Sequence, residues 1–183
     1  MSYGTLSRID PQTGEVVAKI DVGRGAVDVA VDENSGAVWV AGQHNKPEND
    51  KLSRVDPGTN RVVAEIPIRA GASNVAVGAG ALWAQSDDAK LLKVDPETNE
   101  VAGMVSLGGY AATRLVVYGG GVWAMVDDTE GEIRLVRIDP STMHVVAYKT
   151  LKPFDIVAGA PGLAAGRGYV WFSSGKGLAR VAP

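Results

Sequence analysis

The sequence contains no cysteine among its 183 residues and no run of basic residues. A chain without cysteine has no disulfide scaffold, no thiolate zinc site and no thiol nucleophile. Its formal net charge of −3 gives it no electrostatic footprint for nucleic acid. No apolar stretch approaches the roughly 18 residues that cross a bilayer, and the N-terminus lacks the pattern of a signal peptide. We therefore expect no nucleic acid and no membrane among its partners, and the compartment stays open.

Aromatic residues are also scarce, at 6% of the chain, yet the four tryptophans are regularly spaced. Trp39, Trp83, Trp123 and Trp171 follow one another at intervals of about 40–48 residues. Glycine is abundant by contrast, with 23 residues, almost twice the usual rough 7%. A chain of this composition turns often and repeats one unit four times.

A second motif recurs in phase with the tryptophans, and it is typical of a β-hairpin. Its four copies are Leu6–Gly14, Leu52–Asn60, Leu91–Asn99 and Leu135–Met143. Each contains Asp-Pro-x-Thr, in which the Asp carboxylate caps backbone N–H groups and the proline sets φ for the first corner of the turn. The last residue returns the chain in the left-handed region, so Met143 should cost on the order of 1 kcal/mol there.

Short β-branched runs flank each hairpin, and no helical period is present. Four strands in a repeat of about 40–45 residues indicate a β-propeller blade. The sequence thus predicts an all-β chain with four four-stranded antiparallel blades in a single domain over 1–183. We name the strands of a blade A, B (with Trp), C (ending in Asp-Pro) and D. The predicted units are 5–22 (strands C and D only), 26–68, 74–106, 113–149 and 162–183.

These motifs resemble the YVTN-type propeller repeat. The resemblance rests on the Val-Trp-Val strand at 38–40, the Ser-Arg-Ile-Asp-Pro-x-Thr-Gly hairpin at 7–14 and the Val-Val-Ala-x-Ile strand at 16–20. Streptogramin B lyase-like proteins share closely similar repeats. The resemblance implies a propeller of six to eight blades and, in many relatives, export. For the lyases it also implies a cluster of His and Glu with a divalent cation.

Four blades leave the closure of the ring open. Four units close on themselves, pair with a second copy into an eight-bladed ring, or belong to a longer array. The predicted A and B strands near 162–174 need a C–D hairpin to complete their blade. Residues 5–20 offer one, yet residues 177–183 also have the pattern of a C strand. We favour a homodimer joined through its outermost strands, because blades shaped for a wide ring splay too little to close at four.

Residues that repeat in every unit are expected to be structural. The basic residue two before each Asp, namely Arg8, Arg54, Lys93 and Arg137, is expected to pair with that Asp on one strand face. Function is expected where the copies differ, on the rim of the D–A and B–C connections. The candidate ligand-binding residues there are Arg24, Asp28, Gln43, His44, Arg69, Asn74, Gln85, Tyr110 and Arg114. Arginines and a tyrosine around one mouth suit a small anion or a carboxylate-bearing ligand.

Catalytic groups are harder to find. Asp87, Asp88, Asp127 and Asp128 are weak candidates for a divalent cation, because oxygen ligands suit such ions. The predicted scheme puts His44 and His144 on opposite rims, so they cannot form one acid–base pair. No hydrolase, metalloprotease or phosphate-loop motif occurs, and no cofactor is predicted.

The leading hypothesis is a non-catalytic scaffold that binds a ligand or a protein partner on its variable rim. The alternatives are a streptogramin-lyase-like enzyme that cleaves a cyclic ester by metal-assisted elimination, and a half-propeller whose purpose is self-assembly.

Overall fold

The computed structural model describes residues 4–43, 49–68, 71–109, 111–127, 133–151, 162–174 and 177–183. Within these ranges the chain forms seventeen β-strands. It divides into two compact units, Met1–Val75 and Ala76–Pro183. No helix in these ranges is long and apolar enough to cross a membrane.

The first unit contains a two-stranded sheet, β1–β2, and a four-stranded sheet, β3–β4–β5–β6. Its strands are β1 (Gly4–Ile9), β2 (Val16–Gly23), β3 (Ala26–Val31), β4 (Val38–Gly42), β5 (Lys51–Asp56), β6 (Arg61–Pro67) and the first part of β7 (Ala72–Gly78). Ile20 and Val22 of β2 pack against Val40 and Val55 of the four-stranded sheet. The C–D hairpin β1–β2 thus covers part of one face of its neighbour.

The second unit continues the pattern with sheets ordered β7–β8–β9–β10, β11–β12–β13–β14 and β15–β16–β17. Its strands are β8 (Ala81–Ser86), β9 (Lys90–Asp95), β10 (Glu100–Ser106), β11 (Ala111–Tyr118), β12 (Gly121–Asp127), β13 (Ile133–Ile138), β14 (Val145–Leu151), β15 (Leu163–Gly166), β16 (Tyr169–Ser174) and β17 (Gly177–Val181). The pairs whose register is described are all antiparallel neighbours in sequence, as strands A to D of a blade should be.

In the sheet β11–β14 both faces of the inner strands are apolar, because this sheet packs between β7–β10 and β15–β17. In β12, Val122 and Val126 belong to the core shared with β8 and β9. Trp123 and Met125 alternate with them and belong to the core shared with β16. We call the Trp-bearing side the forward face, since it contacts the next sheet along the chain, and the opposite side the backward face.

The Asp-Pro turns form as predicted. The Oδ1 atom of Asp139 accepts hydrogen bonds from the backbone N–H of Ser141 at 2.8 Å and of Thr142 at 3.0 Å. The returning residue has positive φ in the four hairpins, including 59° at Met143. The Met143 side chain packs against the core of the second unit and lies near Gly103. This contact offsets part of its backbone strain.

The tryptophans brace the A–B turns. The indole Nε1 atoms of Trp83, Trp123 and Trp171 donate to the carbonyl oxygen five residues earlier, at 3.0, 3.1 and 3.3 Å. The first A–B turn is built differently, around the carboxylate of Asp32, which accepts from the hydroxyl of Ser35 at 2.5 Å. There the buried Nε1 of Trp39 has no hydrogen-bond partner among the described residues.

Candidate functional site

The connections between strands lie at two opposite ends of each sheet, because consecutive strands are antiparallel. One end carries the A–B and C–D turns, which we call the turn rim. The other carries the D–A and B–C connections, which we call the loop rim. The predicted ligand-binding residues that the structure describes belong to the loop rim, whereas His144 follows a C–D turn, where its carbonyl accepts from the N–H of Asp139 at 3.0 Å.

The sequence predicts Asp28, Asn74, Arg114 and Gly162 at the position just before strand A, but only Gly162 precedes its strand, β15, and the other three lie inside theirs. Asp28 is the third residue of β3, Asn74 the third of β7 and Arg114 the fourth of β11. The pairing with strand B shifts register between Ala26 and Asp28, and again between Ala112 and Arg114. A β-bulge of this kind re-aims the side chain that follows it. In β3 and β11 this bulge accounts for the difference, since the strand begins with residues that the apolar pattern does not mark.

Asp28 makes a contact between sheets. Its half-buried carboxylate accepts a hydrogen bond from the backbone N–H of Val75, on the next A strand, at 2.9 Å. Asn74 is buried, and its amide donates to the hydroxyl of Ser73 at 3.3 Å. These two side chains therefore stabilise the sheet edges at the loop rim of the first unit.

Gln85 has the same role in the second unit. It is fully buried near the end of β8. Its Nε2 atom donates to the carbonyl oxygen of Met125, on the next B strand, at 3.3 Å. A buried amide in this position ties two sheets together and has little surface with which to meet a ligand.

Arg24 lies at a concave part of the loop rim in the first unit. The cavity there has a volume of about 490 Å³. It is lined by Gly23, Arg24, Asn49, Asp50, Lys51, Glu65 and Pro67. Arg24 is exposed, and Lys51 forms an ion pair with Glu65 across the neighbouring strand. The cavity therefore contains the guanidinium of Arg24, the Lys51–Glu65 ion pair and a second carboxylate, that of Asp50, which accepts a hydrogen bond from the backbone N–H of Gly71.

The backbone around this cavity is closely packed. The N–H of Gln43 donates to the carbonyl oxygen of Gly25 at 2.8 Å. A Cβ atom at Gly25, whose φ is +72°, would lie 1.7 Å from the carbonyl oxygen of Gln43. Only glycine fits this approach. The D–A turn that carries Arg24 is thereby fixed against the B–C connection.

Asp50 is a further residue of this rim that the sequence did not single out as a site. It is buried, and its carboxylate accepts from the N–H of Gly71 at 2.8 Å while its carbonyl accepts from the N–H of Ile68 at 2.9 Å. Ala89 receives the equivalent backbone bond from Leu107 in the second unit. Aligning 50–52 with 89–91 places Asp50 just before a C strand. This position in the repeat is the signal that could have indicated Asp50 from the sequence.

Among the carboxylates proposed for a cation, Asp88 is held in other contacts. Asp88 accepts from the ammonium group of Lys90 and the hydroxyl of Ser86, each at 2.5 Å. Burial alone would raise the pKa of Asp88, but these two partners outweigh it and lower the pKa. Asp87 is exposed and Asp127 half-buried. In the described ranges no group of three or more His, Cys, Asp or Glu side chains could hold a metal ion.

Four of the predicted site residues lie outside the described residues. They are His44, Arg69, Tyr110 and Asp128.

The turn rim has its own repeated chemistry. Hydrogen bonds from the hydroxyl of Ser141 and the backbone N–H of Thr142 hold the pKa of Asp139 at about 2. The backbone N–H of Gly58 is the main cause of the lowered pKa of Asp56, and the attraction of Arg54 is the least. The expected Arg–Asp ion pair is therefore only a minor contact there.

The repeated basic side chains instead lie over the tryptophans. The distances to the ring centres are 5.4 Å for Arg54 over Trp39, 5.6 Å for Lys93 over Trp83, 5.6 Å for Arg137 over Trp123 and 5.3 Å for Arg180 over Trp171. These cation–π contacts stabilise each forward face. Some of the same groups also reach the next hairpin: Arg8 donates to the carbonyl oxygen of Pro57 at 2.7 Å, and Lys93 to that of Pro140 at 2.8 Å.

Comparison with solved structures identifies the fold. The chain is similar to the WD40 domain of Pan2 from Neurospora crassa, with a TM-score of 0.67 and 13% sequence identity over 98% of this chain. WD40 domains are built of four-stranded blades. The chain has the β-propeller fold. The predicted all-β propeller class is thus confirmed, and the number of blades in the ring stays a prediction.

Two further propeller matches have similar strength. Hydrazine synthase from Kuenenia stuttgartiensis matches with a TM-score of 0.74 and 15% identity over 97% of this chain. BBS1N, in complex with ARL6DN, matches with a TM-score of 0.73 and 15% identity over 99%. The chain spans between 54% and 60% of the length of these three structures. No family model matches the sequence, and no curated protein matches it significantly.

Proposed function

We propose that this propeller is a non-catalytic scaffold that binds a carboxylate-bearing ligand or partner on its loop rim. The observation that carries the proposal is the cavity around Arg24 in the first unit. An exposed guanidinium at a concave site binds carboxylates through paired, charge-assisted hydrogen bonds. The four Asp-Pro turns of the turn rim repeat one chemistry, whereas the loop rim presents different side chains from sheet to sheet.

Rigid support for the site favours this function. The D–A turn that bears Arg24 is bonded to the B–C connection through Gly25 and Gln43, and Asp50 holds the following connection in place. A site on a fixed scaffold loses little conformational freedom when its ligand binds. The structure of BBS1N with ARL6DN is a case in which a similar fold holds a protein partner, and we extend that role to this chain.

The test uses citrate as a small tricarboxylate probe in isothermal titration calorimetry. We expect Arg24→Ala to weaken citrate binding about tenfold or more, because a hydrogen bond to a charged group contributes about 1.5–3 kcal/mol. Arg61→Ala is the matched control, since Arg61 is an equally exposed arginine at the turn end of β6. Equal affinity in both variants, or no binding to the parent protein, would overturn the proposal.

The resemblance to streptogramin B lyase-like repeats supplies the competing function. Incubation with a cyclic depsipeptide and Mg²⁺, followed by liquid chromatography, separates the two. A linearised product formed at a rate proportional to protein concentration would show that the chain is an enzyme. We expect the cyclic ester to remain intact.

A further inference from the structure

The repeat allows the same strand position to be compared in sheets with and without a neighbour. The first leucine of strand C lies on the forward face. This residue is Leu91 in β9, which is 0% exposed, and Leu135 in β13, which is 1% exposed. Both leucines pack against the following sheet. In β17 it is Leu178, which is 67% exposed. The forward face of β15–β17 is therefore an apolar surface of the kind that other sheets cover.

The backward face of the first unit shows the complementary exposure. The last apolar residue of strand C is Val55 in β5 and Ile138 in β13, with exposures of 1% and 0%. In β1 the same position is Ile9, which is 57% exposed. The A strands show the same difference in exposure. Leu115 of β11 is 8% exposed, whereas Val29, the equivalent residue of β3, is 48% exposed.

The polar contacts between sheets have the same direction. Arg8 and Lys93 reach forward from one C strand to the proline carbonyl of the next Asp-Pro turn. Arg180 occupies this repeat position in β17 and stacks over Tyr169 and Trp171, 4.0 and 5.3 Å from the ring centres. On the backward side, a cavity of about 310 Å³ opens beside the turn at Pro11.

We propose that the forward face of β15–β17 binds the backward face of β1 in a second copy of this chain. The two faces are the two halves of one interface, which already joins consecutive sheets within the second unit through Leu91, Trp123 and Leu135. Ile9 of one copy contacts Leu178 of the other. Each copy has one forward and one backward face to cover. A pair of copies that makes this contact twice covers all four faces. The proposal does not depend on ligand binding at the loop rim.

The experiment is size-exclusion chromatography with light scattering on the full chain. We expect the parent protein to have twice the 19.0 kDa mass of one chain. Leu178→Glu and Ile9→Lys should each halve the mass, because either charge is buried without a partner. An equimolar mixture of the two variants should recover the dimer, since one of its contacts pairs Glu with Lys and the other is unchanged.

Val63→Glu is the matched control. Val63 is 55% exposed on the D strand β6, and its equivalents Val17 and Val146 are 57% and 51% exposed in other sheets, so no sheet covers this position. The control should keep the dimer mass, and circular dichroism should show the same folded signal for the three variants. A monomeric parent protein, or an unchanged mass for Leu178→Glu, would overturn the proposal.

Discussion

The two rims of this propeller satisfy their polar groups in different ways. On the turn rim, each Asp-Pro carboxylate binds N–H groups of its own turn, as Asp139 does with Ser141 and Thr142. On the loop rim, Asp28 and Gln85 instead bind backbone groups of the next sheet. A local contact can be copied from unit to unit without change, whereas a contact between sheets depends on both partners. The carboxylates of the repeated Asp-Pro turns are therefore bound within one turn, whereas Asp28 and Gln85 each bind a different group of the next sheet.

The largest effect is expected at the contact between sheets. Gln85→Ala removes a fully buried amide and leaves the carbonyl of Met125 without this donor. We expect the free energy of unfolding to fall by about 2–3 kcal/mol in urea denaturation. Gln12→Ala, at an exposed glutamine of the first C–D turn, should change it by less than about 0.5 kcal/mol. An equal loss of stability in both variants would contradict the conclusion that the buried amide of Gln85 holds two sheets together.

A smaller effect is expected at the turn rim. Asn99 and Met143 both have φ of 59° at the end of a C–D turn. Asn99→Met should destabilise the protein by about 1 kcal/mol, because a side chain without a local hydrogen bond adopts this region at a cost. The reverse change, Met143→Asn, should stabilise the protein by less than about 1 kcal/mol. It relieves the backbone strain but loses the apolar contacts of Met143 with the core. Urea denaturation of both variants checks the difference, and a stabilising Asn99→Met would contradict it.

The smallest effect depends on pH. The pKa of Asp139 is lowered from its ordinary value of 3.8 to about 2. A carboxyl whose pKa falls on folding contributes stability above its unfolded pKa and loses it as the pH falls through its folded pKa. Asp139→Asn should therefore lower the thermal midpoint at pH 7 by a small amount. The difference should disappear between about pH 4 and pH 2, and a gap that persists at lower pH would contradict this cause.

The fold could be predicted from the sequence because its determinants are local and repeated. Trp39 to Trp171 mark the B strands, and the Asp-Pro turns mark the end of each C strand. The bulges before Asp28 and Arg114 could not be predicted, because they depend on the register of two strands.

The candidate site could be predicted only in part. The alternation of residues along a strand placed Arg54 and Asp56 on one face but could not show that the cation would lie over Trp39. The position of Arg24 on the loop rim was predictable from the strand order. The cavity beside it was not, because it also needs the ion pair of Lys51 with Glu65 on two different strands.

The burial of the tryptophans has a spectroscopic consequence. Trp39 and Trp83 are fully enclosed and Trp123 nearly so, whereas Trp171 is partly open on the forward face of β16. A collisional quencher such as acrylamide reaches the indole of Trp171 before the other three. The part of the intrinsic fluorescence that acrylamide quenches first therefore reports on the forward face of β16. Any molecule that comes to lie on that surface shields the indole and shifts its emission to shorter wavelength.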